Sequence, residues 1–463
     1  MSDGLRASGS SVSDGLRASG SSVTDRQLHL LAFGNVRSGG AWRLPGVRNG
    51  PANQLDTLVA TARAAEAAKF DAIFFADGLN FGPEATWAHK STEDFEPLTA
   101  TSYLAAVTDR LGLVVTGSST FQPPYHLARQ LLSLDHLSAG RAGWNLVTSF
   151  AQAAAANFGE RGFLPHDERY RLAEETLQVV KALWHSLETD AVIEDRATGI
   201  YNDVHKIHVA NHEGEFHKVK GPLGVTPSRQ GRPVIFQAGS STTGRAFAAK
   251  HAEVVFTGQT DIDRAKNFYQ QLHREARAAG RTTAPLITPS LGVVVGSTEA
   301  EAHAVESTVY EHFIPEYQAG WLLEVDVNVI GADLDGPVPA SAFPESTETH
   351  QTALAGYKHL ATVGNPTVRE FLYRTLNAFG TRFVGSAEQV ADQIELWFIE
   401  GAADGFILST SGLPGQFELF TEQVVPILVR RGIFRAEYTG STLREHLALP
   451  WPAPQRAPVL LAH

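Results

Sequence analysis

Short apolar runs rich in β-branched and aromatic residues recur along the chain, and between them lie longer stretches whose apolar positions return every three or four residues. The runs are HLLAFGN (His29 to Asn35), DAIFFAD (Asp71 to Asp77), LGLVVTG (Leu111 to Gly117), AGWNLVTS (Ala142 to Ser149), PVIFQAG (Pro233 to Gly239), AEVVFTG (Ala252 to Gly258), LGVVVGS (Leu291 to Ser297) and DGFILST (Asp404 to Thr410). They are continuous rather than alternating, which is the pattern of strands covered on both faces in a parallel sheet. Helices are predicted for Leu55 to Lys69, Thr99 to Arg110, Tyr125 to Leu137, Arg169 to Ser186, Thr243 to His251, Asp261 to Ala279 and Ala387 to Glu400. In the fourth of these, Leu172, Thr176, Val179, Val180 and Leu183 share a face, with charged residues between them. Eight strands alternating with helices predict an α/β protein, a (β/α)8 TIM barrel over residues 27 to about 440, with an open doubly wound sheet as the competing arrangement.

Three segments break the repeat. Residues 1–26 carry SDGLRASGSSV twice in tandem, a Gly/Ser density that cannot bury enough apolar surface to become ordered, so a flexible tail is expected before a single barrel domain at 27–463. Ala191 to Ser228 is rich in His, Asn and Gly, and Pro315 to Asn365 in Gly, Pro and Thr. Long insertions in a barrel gather over the C-terminal ends of the strands, so both (191–228 and 315–365) are expected to form lid or pocket wall.

Composition narrows the function. A net charge of -12 argues against nucleic acid or an anionic membrane surface as partner. The chain has no cysteine, which excludes thiolate chemistry. No apolar run of membrane-spanning length and no secretion signal is found, so a cytoplasmic location is expected.

Barrel enzymes draw their reactive groups from strand C-termini, so the polar residue closing each apolar run is informative. Asp77, Thr116, Thr148 with Ser149, and Gly239 followed by Ser240 and Ser241 occupy those positions, and Asn145 lies just inside its strand. Strand, Gly239-Ser-Ser-Thr-Thr-Gly244 and helix in succession resemble a phosphate cradle, where backbone N–H groups and hydroxyls converge on an anion. Arg245 and Ala246 stand where a P-loop needs Lys and Ser/Thr, which disfavours a nucleotide hydrolase. In HDERY (His166 to Tyr170), Asp167 or Glu168 reads as a helix cap and Tyr170 as a ligand contact. His205, His208, His212 and His217 match no zinc spacing and read as hairpin residues, so no metal site is expected. Neither GxSxG nor GxGxxG is present.

The stretches FDAIFFAD, FEPLTATSYLAAVT, YHLARQLLSLDHLSAGRAGWNLVTS, HDERY, GRPVIFQAGSSTTGRAFAAKHAEVVF and GSAEQVADQIELWFIEGAADGF resemble the bacterial-luciferase-like flavin monooxygenases. The branch is the one holding the nitrilotriacetate, dibenzothiophene-sulfone and long-chain alkane monooxygenases and the pristinamycin synthase. The resemblance implies a two-component monooxygenase in which a separate NAD(P)H-dependent reductase supplies FMNH2, which reacts with O2 through a flavin peroxide to oxygenate a small organic substrate. It further implies a homodimer or homotetramer. By position it makes Asp77, Thr148, Tyr170, Gly239, Ser240, Ser241 and Thr242 FMN contacts, and puts Thr116 and Asn145 beside the flavin where oxygen is activated. Two departures stand out: Ser149 occupies a position where some relatives have histidine, and AFGNVRSGGAWR lacks the histidine pattern of many relatives. Asn80, Phe81, Trp87, Phe150 and Phe163 are candidate substrate-pocket residues. A coenzyme-F420-dependent dehydrogenase and a non-enzymatic flavin-binding protein are the alternative readings.

Overall fold

The computed structural model describes residues 26–34, 40–91, 95–159, 163–239, 241–376, 378, 380–410 and 413–452. The tandem repeat at 1–25 and the end of the first predicted strand at Asn35 lie outside them. The strands in chain order are β1 His29–Phe33, β2 Ala72–Phe75, β3 Gly112–Ser118, β4 Ala142–Val147, β5 Val192–Asp195, β6 Ile200–Asn202, β7 His212–Glu213, β8 Lys218–Val219, β9 Val234–Ala238, β10 Val254–Thr257, β11 Leu286–Gly296, β12 Thr381–Ser386 and β13 Gly405–Ser409. Parallel pairing runs β1-β2-β3-β4-β9-β10-β11-β13, and β13 pairs back onto β1 with His29 opposite Gly405. The eight strands therefore close a parallel barrel, and the open sheet is excluded.

Side-chain alternation explains why the strand sequences read as continuous apolar runs. Leu30, Ile73, Phe75, Leu113, Val115 and Ile235 pack outward in the main core. Leu31, Phe74, Val114, Val234, Phe236 and Ile407 fill the barrel with Leu443 and Leu447 from the C-terminal segment, which plugs its N-terminal end. Both sets are buried, so neither face of a strand tolerates polar residues except at its end.

Helices follow the predicted positions with shifted starts, for example Pro51–Ala67, Pro97–Ala105 and His166–Trp184. Prolines sit at the first turns of the first two, where a missing N–H costs no hydrogen bond. Pro165 occupies the cap of His166–Trp184 with no side-chain bond, so Asp167 and Glu168 are first-turn acids and not the cap.

Three expectations need correction. The seventh barrel strand begins at Leu286, five residues before the predicted Leu291, because Leu286 to Gly292 pairs with β10 and β13. The predicted portion, Leu291 to Gly296, pairs largely beyond that ring with β12, a strand the apolar pattern did not reveal. The segment 315–365 is not irregular: its helices Pro315–Trp321 and Gln351–Thr362, together with Val368–Thr375 just beyond it, bury a separate core around Leu322, Tyr357, Phe371 and Leu372. That unit covers the C-terminal end of the barrel, where Asn80 Nδ2 donates to Glu324 at 3.1 Å and His350 packs edge-on against Phe150. The segment 191–228 instead folds against helix His166–Trp184 as two antiparallel hairpins. There His212 meets Glu175 at 2.9 Å, His217 meets Thr176 at 2.8 Å, and the Phe216 and His217 amides donate to Glu175. His212 and His217 thus serve the hairpin, while His208 meets Glu188 at 2.9 Å and His205 is exposed.

Candidate active site

Register brings the two central strand residues together: Thr116 of β3 lies opposite Asn145 of β4, and Asn145 opposite Phe236 of β9. Thr116 and Asn145 are inward-facing by the alternation with Val114, and both are buried. Thr116 donates its only hydroxyl proton to the Phe75 carbonyl at 2.6 Å. Towards Asn145 it can therefore only accept, which fixes the amide with Nδ2 on Thr116 at 2.8 Å. Asn145 Oδ1 is left buried without a partner. An unmet acceptor of this kind costs about 1–3 kcal/mol unless a water, an ion or a ligand satisfies it.

Trp144, the preceding residue, points the opposite way. Its Nε1 donates to the Gly117 carbonyl at 3.1 Å and its ring meets Trp184 edge-on in the helix layer. The indole is thus a packing residue with its one polar atom satisfied.

A second polar cluster lies where β4, β9 and two helix N-termini converge. Tyr170, in the second turn of its helix, shares hydrogen-bonding contacts with the side chains of Ser241, Thr148 and Gln237. Burial raises the pKa of its hydroxyl, more than those contacts and nearby Arg169 lower it, so the group stays neutral. Ser241 caps helix Thr242–His251 by accepting from Gly244 N at 3.1 Å. Gly239 after β9 and Gly244 within the helix leave no room for a side chain. A Cβ on Gly239 would lie 2.4 Å from Gln237 Nε2, and one on Gly244 would lie 2.6 Å from the Tyr170 hydroxyl. Arg245 is engaged by Glu275, its Nε donating to both carboxylate oxygens at 3.0 Å.

Of the residues singled out from sequence, Thr116 and Asn145 form one group, and Thr148, Tyr170, Gly239 and Ser241 a second. Thr242 is exposed at the first turn of its helix, Asp77 lies two residues beyond β2, and Ser240 lies outside the described residues. Ser149 adopts a left-handed backbone (φ 44°) and bonds Ser118 Oγ at 2.8 Å. Sequence reasoning missed Gln237, Ser118 and His166. Gln237 was legible as a lone carboxamide in an otherwise apolar run, but only the fold shows it meeting Tyr170.

Beside Phe75 a cavity of about 430 Å3 opens at the ends of β1, β2 and β13. Phe33, Phe75 and Leu408 form its floor, and Trp42, Lys90 and Tyr317 are among its other walls. None of the five substrate-pocket candidates, Asn80, Phe81, Trp87, Phe150 and Phe163, lines this cavity. Phe81 stacks near Trp87, and Phe163 lies under the Arg169 guanidinium. Arg169 in turn donates to the Leu164 and Glu348 carbonyls, tying the covering unit to the helix that carries Tyr170.

A parallel (β/α)8 barrel with unmet polar groups at its C-terminal mouth defines an enzyme scaffold whose ligand enters over the strand ends. The Luciferase-like monooxygenase family model matches residues 39–404, and the chain belongs to that family. It is 40% identical over 421 residues to the N-acetyl-S-(2-succino)cysteine monooxygenase of Bacillus subtilis, covering 89% of this chain and 94% of that one. Nitrilotriacetate monooxygenase component A of Aminobacter aminovorans is 40% identical over 427 residues, with the same coverage of each chain. Among solved structures, a riboflavin lyase with modified FMN and substrate riboflavin superposes with TM-score 0.81 at 32% identity, over 91% of this chain and 96% of that one. The protein is accordingly a luciferase-like monooxygenase, which removes the non-enzymatic alternative. An F420-dependent secondary alcohol dehydrogenase matches at 14% identity and shares the fold alone.

Proposed function

We propose that the protein is the oxygenating component of a two-component system that uses reduced FMN and O2 to oxygenate a small organic substrate. The observation that carries this reading is the buried, unpartnered Asn145 Oδ1 beside Thr116 at the barrel mouth. The donor set fits the cofactor: an acceptor on the barrel wall suits a flavin ring N–H, and the Gly239 to Gly244 turn suits a phosphate. Bound FMNH2 would supply the electrons that reduce O2, one oxygen atom entering the substrate and the other leaving as water.

The chain's own work is binding, orientation and exclusion of water. Gly239, Ser240, Ser241 and Thr242 would hold the phosphate, with Tyr170 and Thr148 closing one side and Asp77 contributing from the end of β2. Thr116 would fix Asn145 so that Oδ1 meets the ring in one orientation, and the unit at 315–376 would shield the site from solvent. The cavity beside Phe75 is the proposed substrate space. Its mixed lining fits a partly apolar ligand with a polar group.

The nitrilotriacetate relative is a component A, which supports a separate reductase that delivers the reduced flavin, and we place the protein in the cytoplasm, where NAD(P)H is available. No helix among the described residues is long and apolar enough to cross a membrane. A homodimer or homotetramer remains part of the proposal. Substrate-dependent O2 uptake with chemically reduced FMN tests the reading across a panel of small organic compounds. Failure to bind FMNH2, with no oxygenated product from the panel, overturns it.

A further inference from the structure

HDERY contributes more to the site than Tyr170. His166, which opens the same helix, is nine-tenths buried, and its Nδ1 lies 2.9 Å from Asp167 Oδ1. Thr243, in the first turn of helix Thr242–His251, donates to that same carboxylate oxygen at 3.0 Å, which locks Asp167 between the two helices. His166 Nε2 faces Ser241 Oγ at 3.4 Å, and its ring packs 5.1 Å from the Tyr170 ring. Around it stand Asp167, Arg169 and Tyr170 on its own helix, Ser241 and Thr243 on the next, and Glu348 and His350 on the covering unit. Glu348 accepts from the His166 amide at 3.1 Å. Arg169 has both terminal nitrogens on the Leu164 and Glu348 carbonyls and only its Nε left over, while Arg245 is engaged by Glu275, and Lys250 with His251 by Glu174. His166 is thus the one group bonded to the Ser241 turn that can gain a positive charge there among the described residues.

We infer that His166 is the switchable counter-charge of this turn: it selects a phosphate ester and takes up a proton when one binds. The inference rests on the FMN reading above. In the neutral ring Asp167 holds the Nδ1 proton, so Nε2 accepts the Ser241 hydroxyl proton while Ser241 Oγ accepts from Gly244 N. A phosphate bound at the turn takes the Ser241 hydroxyl as its own donor. Nε2 then lacks a partner until it binds a proton from solvent and becomes a donor to Ser241 Oγ or to the phosphate. The imidazolium lies between two anions, Asp167 and the phosphate. The only bond formed is Nε2–H, its proton released by a solvent hydronium or buffer acid, one for each phosphate bound.

The test compares photoreduced FMN with photoreduced riboflavin under argon, by calorimetry, in the wild-type protein, His166→Gln and Asp167→Asn. At pH 8, where the free phosphate is fully ionised, FMN binding should take up as much as about one proton in excess of riboflavin. FMN affinity should rise relative to riboflavin as pH falls from about 9 to 7. His166→Gln should abolish the excess proton and the relative pH slope and cut the FMN-over-riboflavin preference roughly tenfold, the loss of one charge-assisted hydrogen bond. Asp167→Asn should weaken both effects. Retained riboflavin binding reports that each variant is folded. An unchanged slope and preference in His166→Gln, or no excess proton in the wild type, overturns the inference while leaving FMN binding intact. Binding of neither flavin overturns the FMN reading as well.

Discussion

The two ends of the barrel treat their buried polar residues differently. At the N-terminal end the buried carboxylates are matched by cations or hydrogen-bond donors, with Arg435 Nε and His446 Nδ1 left over. Glu253 is held by Arg232 at 2.9 Å and Arg444 at 2.6 Å, and Asp71 by Arg435 at 2.6 Å and His29 at 3.0 Å. Asp135 accepts from the Ala142 amide, Gln230 and Ser228. Burial alone would raise the Glu253 and Asp71 pKa values, yet the neighbouring cations more than offset it and both lie below the usual carboxylate range. At the mouth the hydroxyls and amides are neutral, and Asn145 Oδ1 is left without a partner. The difference is one of charge: ion pairs hold the N-terminal end, whereas the mouth presents neutral groups that include the unmet acceptors Asn145 Oδ1 and Gln237 Oε1.

Substitutions at the two ends should therefore separate stability from activity. The largest effect is expected from Glu253→Gln, which leaves Arg232 and Arg444 buried without their anion and should lower unfolding free energy by about 3–5 kcal/mol in urea titrations. Turnover per folded molecule should be unchanged; a selective loss of turnover would break the comparison. Next is Asp135, whose pKa burial raises to about 6 against its hydrogen bonds. A carboxyl with a raised folded pKa binds more protons in the folded state, so its share of stability is present at low pH and falls as pH rises from about 4 through about 6. The loss should be on the order of 3 kcal/mol, and Asp135→Asn should remove that window from the difference between the two stability curves.

At the mouth the order of effects should reverse. Asn145→Leu removes the open acceptor without changing volume much, so the melting temperature should hold while reduced-FMN-driven oxygenation falls about tenfold to a hundredfold. Unchanged turnover would remove Asn145 from the site. The smallest effect is expected from Tyr170→Phe: loss of one neutral hydroxyl should weaken FMN affinity about two- to tenfold in anaerobic titrations, with no stability change beyond about 1 kcal/mol.

The sequence itself determined the barrel and much of the site's membership, because both rest on local rules. A strand buried on both faces must be apolar throughout, so a Thr, Asn or Gly-Ser-Ser at its end is visible against that background. Eight such runs alternating with helices leave few ways to close. What stayed hidden depends on partners distant in the chain. The unit built on Leu322, Tyr357 and Phe371 draws its core from three short helices, too brief for periodicity to stand out. β12 alternates in burial, so it lacked the continuous apolar signature used to find the others. HDERY displayed its tyrosine, but only packing of two helices side by side brings His166 to Ser241 and Asp167 to Thr243. In the same way, WNLVTS disclosed an indole and an amide without saying which served the core. Strand alternation sends Trp144 outward to Trp184 and Asn145 inward, and the hydroxyl of Thr116, already committed to Phe75, decides which atom of the amide is left to meet a ligand.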